Sequence, residues 1–134
     1  MEYTNIKLDR ENAVATVRLN RPDALNALNA DLLDELSDAV SAVAEDQAIK
    51  AMVVRGEGRA FCAGADLTVL DTAFGNPGQF SRYLQRFNSC LFQLEELPIP
   101  AIAVVHGFAL AGGLELMLAC DLALAAGDAR IGDQ

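Results

Sequence analysis

Residues 99–126 read IPAIAVVHGFALAGGLELMLACDLALAA, an almost unbroken apolar run. Its length raises the question of a membrane span. His106, Glu115, Asp121 and the Gly112-Gly113 pair interrupt it, and ionisable side chains are costly in lipid, so no membrane contact is expected. The run divides instead into a strand over residues 102–106, a glycine turn, a buried helix over about residues 113–120 and a strand over residues 122–125. Strand, helix and strand in that order imply an α/β domain with at least partly parallel pairing.

Working outward, residues 13–19 alternate apolar positions with Thr16 and Arg18, and residues 3–8 can pair with them in a hairpin that turns around Glu11-Asn12. Asn20-Arg21-Pro22-Asp23 breaks the strand, because Pro22 has no N–H and disfavours helical geometry at Arg21. From Asn29, Leu32, Leu33, Leu36, Val40 and Val43 recur at helical spacing, with Asp31, Asp34, Glu35, Asp38 and Glu45 assigned to the opposite face. Asn29 suits the N-cap of this helix. Residues 51–55 form a short buried strand ended by Gly56-Glu57-Gly58, and residues 61–66 are a tight small-residue loop leading into a helix from Asp66. Gly75-Asn76-Pro77-Gly78 marks a surface loop, and residues 80–97 form a helix stopped by Pro98 and Pro100.

The chain has 134 residues, 52% of them hydrophobic and 22% charged, which suits one globular domain. Its net charge is −9 and its lysines are Lys7 and Lys50, so the basic stripe needed for nucleic acid is missing. An acidic surface also repels anions at long range, so a phosphate-bearing ligand must be held by a few local arginines or helix N-termini. Cys62, Cys90 and Cys120 show no metal spacing and read as reduced core residues; no metal site is expected. The first residues carry neither a basic nor an apolar leader segment, so a cytoplasmic protein is expected.

Glu115 is the most informative ionisable residue, since Leu114, Leu116, Met117 and Leu118 surround it. Carboxylates in such company are paired or functional. Equally, a glutamate in the first turn of a helix starting near Gly112 satisfies free N–H groups and suits the dipole. Two small-residue loops, Cys62-Ala63-Gly64-Ala65-Asp66 and Ala109-Leu110-Ala111-Gly112-Gly113, present the same duality. Their N–H groups could converge on an anionic oxygen, or their small side chains could serve only close packing. Familiar motifs are absent: Phe61 stands where a dinucleotide fingerprint after Gly56-Glu57-Gly58 needs glycine, and neither GxxxxGK[ST] nor GxSxG occurs. The single histidine, His106, lies in an apolar strand and reads as structural.

Taken together these segments resemble the crotonase, or enoyl-CoA hydratase/isomerase, family over essentially the whole chain. The resemblance is carried by Leu19-Asn20-Arg21-Pro22 with Asn26-Ala27-Leu28-Asn29, by Phe61-Cys62-Ala63-Gly64-Ala65-Asp66-Leu67, and by the run from Val105 through Glu115-Leu116 to Cys120-Asp121. It implies a ClpP/crotonase spiral of ββα units, here truncated to an N-terminal part over residues 1–134, and a coenzyme A thioester as substrate with no separate cofactor. The N–H groups of Ala65 and Gly112 would form the oxyanion hole for the thioester carbonyl. Ala24, Ala63, Ala65, Asp66, Leu67, Thr68 and Gly112 would line the acyl-CoA site.

By the same resemblance, Glu115 matches the first of two glutamates with which hydratases of this family activate water. The second would align immediately after Gln134. Relatives are about twice as long, and their remaining half completes the CoA pocket and the contacts of a homotrimer or hexamer. The 134 residues alone are therefore expected to be inactive. Relatives that replace the second glutamate run other chemistry, so isomerase, dehalogenase and hydrolase activities, or a non-catalytic fragment, stand as alternatives to hydration.

Overall fold

The computed structural model describes residues 1–133, with Thr72 described by its backbone alone. Five strands form one sheet in the order β1-β2-β3-β4-β6: β1 (Ile6–Glu11), β2 (Val14–Leu19), β3 (Ala51–Gly56), β4 (Ala101–Val105) and β6 (Leu122–Ala125). The β1–β2 pair is an antiparallel hairpin, and the remaining pairs are parallel. The hairpin was expected, but β1 starts three residues later than Tyr3 and runs to Glu11. The turn falls at Asn12, whose φ of 55° asparagine tolerates better than most residues. Parallel strands need crossovers, and the helices α1 (Ala30–Glu45) and α3 (Pro77–Glu95) supply the two long ones.

Every second residue of the central strands faces these helices. Ala15, Val17, Leu19, Met52, Val54, Ala101, Ala103 and Val105 are at most 2% exposed and join Leu32, Leu33, Leu36, Val40, Phe87 and Leu94 in one core. Burial of each large side chain contributes about 1.5–3 kcal/mol. Asn29 caps α1 as expected, its side chain accepting from the Leu32 N–H at 2.9 Å.

Four sequence expectations are corrected. Glu35 is buried, 6% exposed, rather than on the outer face of α1. Its carboxylate accepts from the Thr4 N–H at 2.6 Å, the Asn5 N–H at 2.9 Å and the Asn5 amide at 2.5 Å, so the N-terminal segment solvates the charge in place of water. The surface loop around Asn76 shrinks to that residue: α2 (Leu67–Gly75) ends at Gly75, and Asn76 caps α3 by accepting from the Gln79 N–H, with Pro77 tolerated in the first turn. The glycine turn holds a strand, β5 (Phe108–Leu110), which pairs in parallel with a further unanticipated strand, β7 (Arg130–Gly132). Lastly, α4 (Gly112–Ala119) is buried on one side only, with Leu118 67% exposed.

The β5–β7 pair belongs to a second ladder. Parallel bridges join Leu28 to Ala65 and Cys62 to Ala109, so successive passes of the chain lie side by side beyond the main sheet. This stacked, parallel arrangement is the expected spiral of strands and helices. Among the described residues no helix is long and apolar enough to cross a membrane.

Candidate active site

Leu28 donates its N–H to the Gly64 carbonyl at 2.8 Å and accepts from the Asp66 N–H at 3.3 Å. In an extended segment alternate backbone groups point to opposite sides. With residues 64 and 66 both tied to Leu28, the N–H of Ala65 is turned away from it. On the next pass, Cys62 bonds Phe108 and Leu110 at 3.0 and 3.1 Å, which brings the loop before α4 alongside. Gly112 is the first residue of α4, where an N–H has no acceptor within its own helix. Among the described residues neither the Ala65 nor the Gly112 N–H has a hydrogen-bond acceptor.

The two loops approach as closely as backbone allows. A Cβ on Gly64, whose φ is +107°, would stand 3.0 Å from the Leu110 oxygen and 3.4 Å from the Gly112 nitrogen. A Cβ on Gly113 would overlap the Cys62 carbonyl oxygen and lie 2.8 Å from its carbon. Close packing and free donors therefore go together: the small residues let the loops approach, and on these adjoining loops the Ala65 and Gly112 N–H groups have no acceptor among the described residues. Ala111, with φ 48° and ψ −114°, takes a conformation that favours glycine, and its N–H is tied to the Gly132 carbonyl at 3.0 Å. Such strain costs about 1–3 kcal/mol and collects at functional sites.

Glu115 occupies the first turn of α4, but its expected apolar enclosure is absent. Gly113, Leu116 and Ala119 take the buried face of the helix, which leaves Glu115 exposed on the same side as Leu118. No described residue donates a hydrogen bond to its carboxylate. Asp66 precedes α2 and caps it: one oxygen accepts from the Thr68 N–H at 3.0 Å and hydroxyl at 2.9 Å, the other from Arg21 at 2.9 Å. The Thr68 N–H, more than the Arg21 guanidinium, holds the Asp66 carboxyl below its ordinary value against the opposing effect of burial. Ala63 and Ala24 are half-buried, and the Ala63 N–H bonds the Leu25 carbonyl next to Ala24 at 3.0 Å. Leu67 is 77% exposed.

An open cavity of about 430 Å³ between α1, α2 and α3 is lined by Thr68, Asn29, Tyr83, Arg82 and Arg86; Ala65, Gly112 and Glu115 do not line it. Ala65 and Gly112 are half-buried and Glu115 is exposed, all outside the lining of this cavity. Burial pushes the Cys62 thiol up to about 12, so it is no nucleophile. His106 bonds the Gly58 carbonyl at 2.6 Å, a contact that ties two turns together. Among the described residues no cluster of His, Cys, Asp or Glu is placed to hold a metal ion.

Sequence reasoning gave no role to Asn26. It is fully buried with φ 57°; its side chain accepts from the Arg21 N–H at 2.8 Å and donates to the Glu57 and Ala60 carbonyls at 2.9 Å. These bonds seat the loop before Leu28 against the turn before Phe61. A lone polar residue between Leu25 and Leu28 was the available signal, but the two carbonyls that its amide donates to lie more than 30 residues away.

Residues 9–134 match the protein family described as enoyl-CoA hydratase/isomerase. The chain belongs to this family. It is 40% identical over 134 residues to the crotonyl-CoA hydratase of Syntrophomonas wolfei and 39% identical over 133 residues to the short-chain-enoyl-CoA hydratase of Clostridium acetobutylicum. Each match covers 98% of this chain and 50% of the relative, so the chain spans about half the length of the curated relatives it matches. The crystal structure of an enoyl-CoA hydratase/carnithine racemase from Magnetospirillum magneticum superposes with a TM-score of 0.92 at 38% identity, covering 98% of this chain and 50% of that one. For the enoyl-CoA hydratase of Bacillus anthracis the TM-score is 0.89 at 35% identity, with 96% and 50% covered. The architecture is therefore the crotonase spiral, of which these residues form about half. The family's second glutamate position, expected directly after Gln134, lies outside the described residues.

Proposed function

We propose that this chain supplies the thioester-binding half of an enoyl-CoA hydratase. The observation that carries this reading is the pair of N–H groups at Ala65 and Gly112, which stand on adjoining loops and have no acceptor among the described residues. When water adds to C3 of a 2-enoyl-CoA, the π pair moves toward C2 and negative charge develops on the thioester oxygen. Fixed backbone donors stabilise that charge without reorganising. Glu115, at the start of the helix that presents the Gly112 N–H, orients or deprotonates the water. A second carboxylate beyond residue 134 delivers the proton to C2, completing a 3-hydroxyacyl-CoA.

Ala24, Ala63, Asp66, Leu67 and Thr68 line the acyl-CoA in this proposal, and coenzyme A enters only as part of the substrate. The proposal also comprises a cytoplasmic protein of fatty acid metabolism that assembles as a trimer or hexamer. Leu118, Leu122 and Leu124, all more than 60% exposed, support a further packing layer along the β6 edge.

The test is Glu115→Gln in the longer protein that carries this chain, assayed by loss of the enoyl-thioester absorbance of crotonyl-CoA. General acid–base catalysis contributes about 10²–10⁴-fold, and a loss of that size in kcat is expected. A variant within threefold of wild type, on the order of 0.6 kcal/mol, sinks the assignment of Glu115. The 134-residue chain alone is expected to hydrate nothing above the buffer rate.

A further inference from the structure

We propose that Tyr83 is a positioning residue for the thioester site: its buried hydroxyl, acting through the Leu28 carbonyl, holds the segment that aims the Ala65 N–H toward that of Gly112. The inference rests on the oxyanion reading above and adds to it a residue that never touches substrate.

Tyr83 lies on the buried face of α3, and its hydroxyl donates to the Leu28 carbonyl at 2.8 Å. That carbonyl is the same atom that accepts from the Asp66 N–H at 3.3 Å, while the Leu28 N–H holds the Gly64 carbonyl at 2.8 Å. Leu28 therefore grips the backbone on both sides of Ala65, and Tyr83 grips Leu28. The Tyr83 bond is the shorter of the two at the carbonyl, so it fixes where that oxygen sits and hence where Asp66 and Ala65 are drawn. One turn along the same helix, Phe87 stacks on Tyr83 with ring centroids 6.4 Å apart. Its ring edge stands 3.5 Å from the Cβ position of Gly112. One face of α3 thus braces both donors, Phe87 behind Gly112 and Tyr83, through Leu28, behind Ala65.

A phenylalanine at position 83 would fill the same core space without burying a hydroxyl, which is costly unless bonded. Burial, assisted by the nearby Cys62, Asp66 and Glu115, pushes the Tyr83 phenol up to about 12, so it keeps the proton that it donates.

The experiment compares wild type with Tyr83→Phe by two readouts. Hydrogen exchange of the Leu28 and Asp66 amides is measured by NMR on the longer protein that carries this chain, with the Leu36 amide in α1 as reference. Loss of one buried hydrogen bond predicts exchange about fivefold to tenfold faster at Asp66, with Leu36 unchanged. The second readout, taken on the same longer protein, is the absorption of a bound 2,4-dienoyl-CoA, which moves to longer wavelength as its carbonyl is polarised. The shift is expected to shrink in Tyr83→Phe, with affinity changed by less than about tenfold. A merely structural tyrosine would alter stability and leave the shift of bound ligand intact. Unchanged Asp66 exchange, or a full shift in the variant, overturns the proposal. If wild type binds the dienoyl-CoA without any shift, the oxyanion reading fails, and Asp66 exchange alone then decides whether Tyr83 sets the backbone clip.

Discussion

Gly113→Ala places one methyl group where the spiral has no room for it. The new Cβ would overlap the Cys62 carbonyl oxygen and lie 2.8 Å from the Cys62 carbonyl carbon and 3.0 Å from its Cβ. Carbon atoms pack at about 3.5 Å or more, so α4 and the Cys62 segment must part by at least about 0.7 Å. The obstacle is backbone tied on both sides to β5, since Cys62 bonds Phe108 and Leu110, and it cannot swing away as a side chain would. Overpacking of this kind costs about 1–3 kcal/mol, here toward the upper end. Alanine in a helix is better than glycine by about 1 kcal/mol, which offsets part of the cost. A net loss of about 2 kcal/mol remains, so with a urea m-value of about 1.5 kcal/mol/M the unfolding midpoint should fall by about 1.3 M. Gly127→Ala is the control, because no heavy atom lies within 4 Å of its Cβ position, and a change within about 0.5 kcal/mol is expected. If the two variants unfold at the same midpoint, the reasoning that close backbone approach dictates glycine at 113 is wrong.

Two further outcomes are expected. Glu35→Ala strips the acceptor from the Thr4 and Asn5 N–H groups and should cost about 2–3 kcal/mol; a loss below about 1 kcal/mol in chemical denaturation would mean that the N-terminal segment is not held by this carboxylate. Asp66 is held below its ordinary value, chiefly by the Thr68 N–H and then by the Thr68 hydroxyl and Arg21. A carboxyl depressed in the folded state stabilises it above its unfolded pKa of about 3.9 and loses that contribution as pH falls through the lower folded value. The stability gap between wild type and Asp66→Asn should therefore narrow as pH drops below about 4, and a gap that stays constant from pH 7 to pH 3 contradicts the assignment.

Local pattern was enough for much of the architecture. Apolar spacing at 3–4 residues from Leu32 to Val43 marks α1 because a helix must bury one stripe, and Asn29 as its cap is a matter of neighbouring atoms alone. The run from residue 99 to 126 divides into strand, turn, helix and strand for the same reason, and the placing of Gly112 and Glu115 at a helix start follows from that division, as Ala65 follows from the small-residue loop of residues 61–66. What the sequence could not decide depends on contacts between distant passes of the chain. Glu35 looks solvent-facing by period, and only the return of Thr4 and Asn5 across its carboxylate makes burial tolerable. The strands β5 and β7 are three residues each, too short to show alternation, and exist because each supplies the other's backbone partners. Gly112 has a spare N–H because it starts α4, a local matter, but that the Ala65 N–H finds no acceptor among the described residues and that the two loops adjoin are tertiary in origin. Leu28 takes the groups on either side of Ala65, and Gly64 and Gly113 let two backbones meet. Local sequence sets which segments are strands, helices and turns, since those depend on neighbouring residues; where their spare donors point is set by which segment lies alongside.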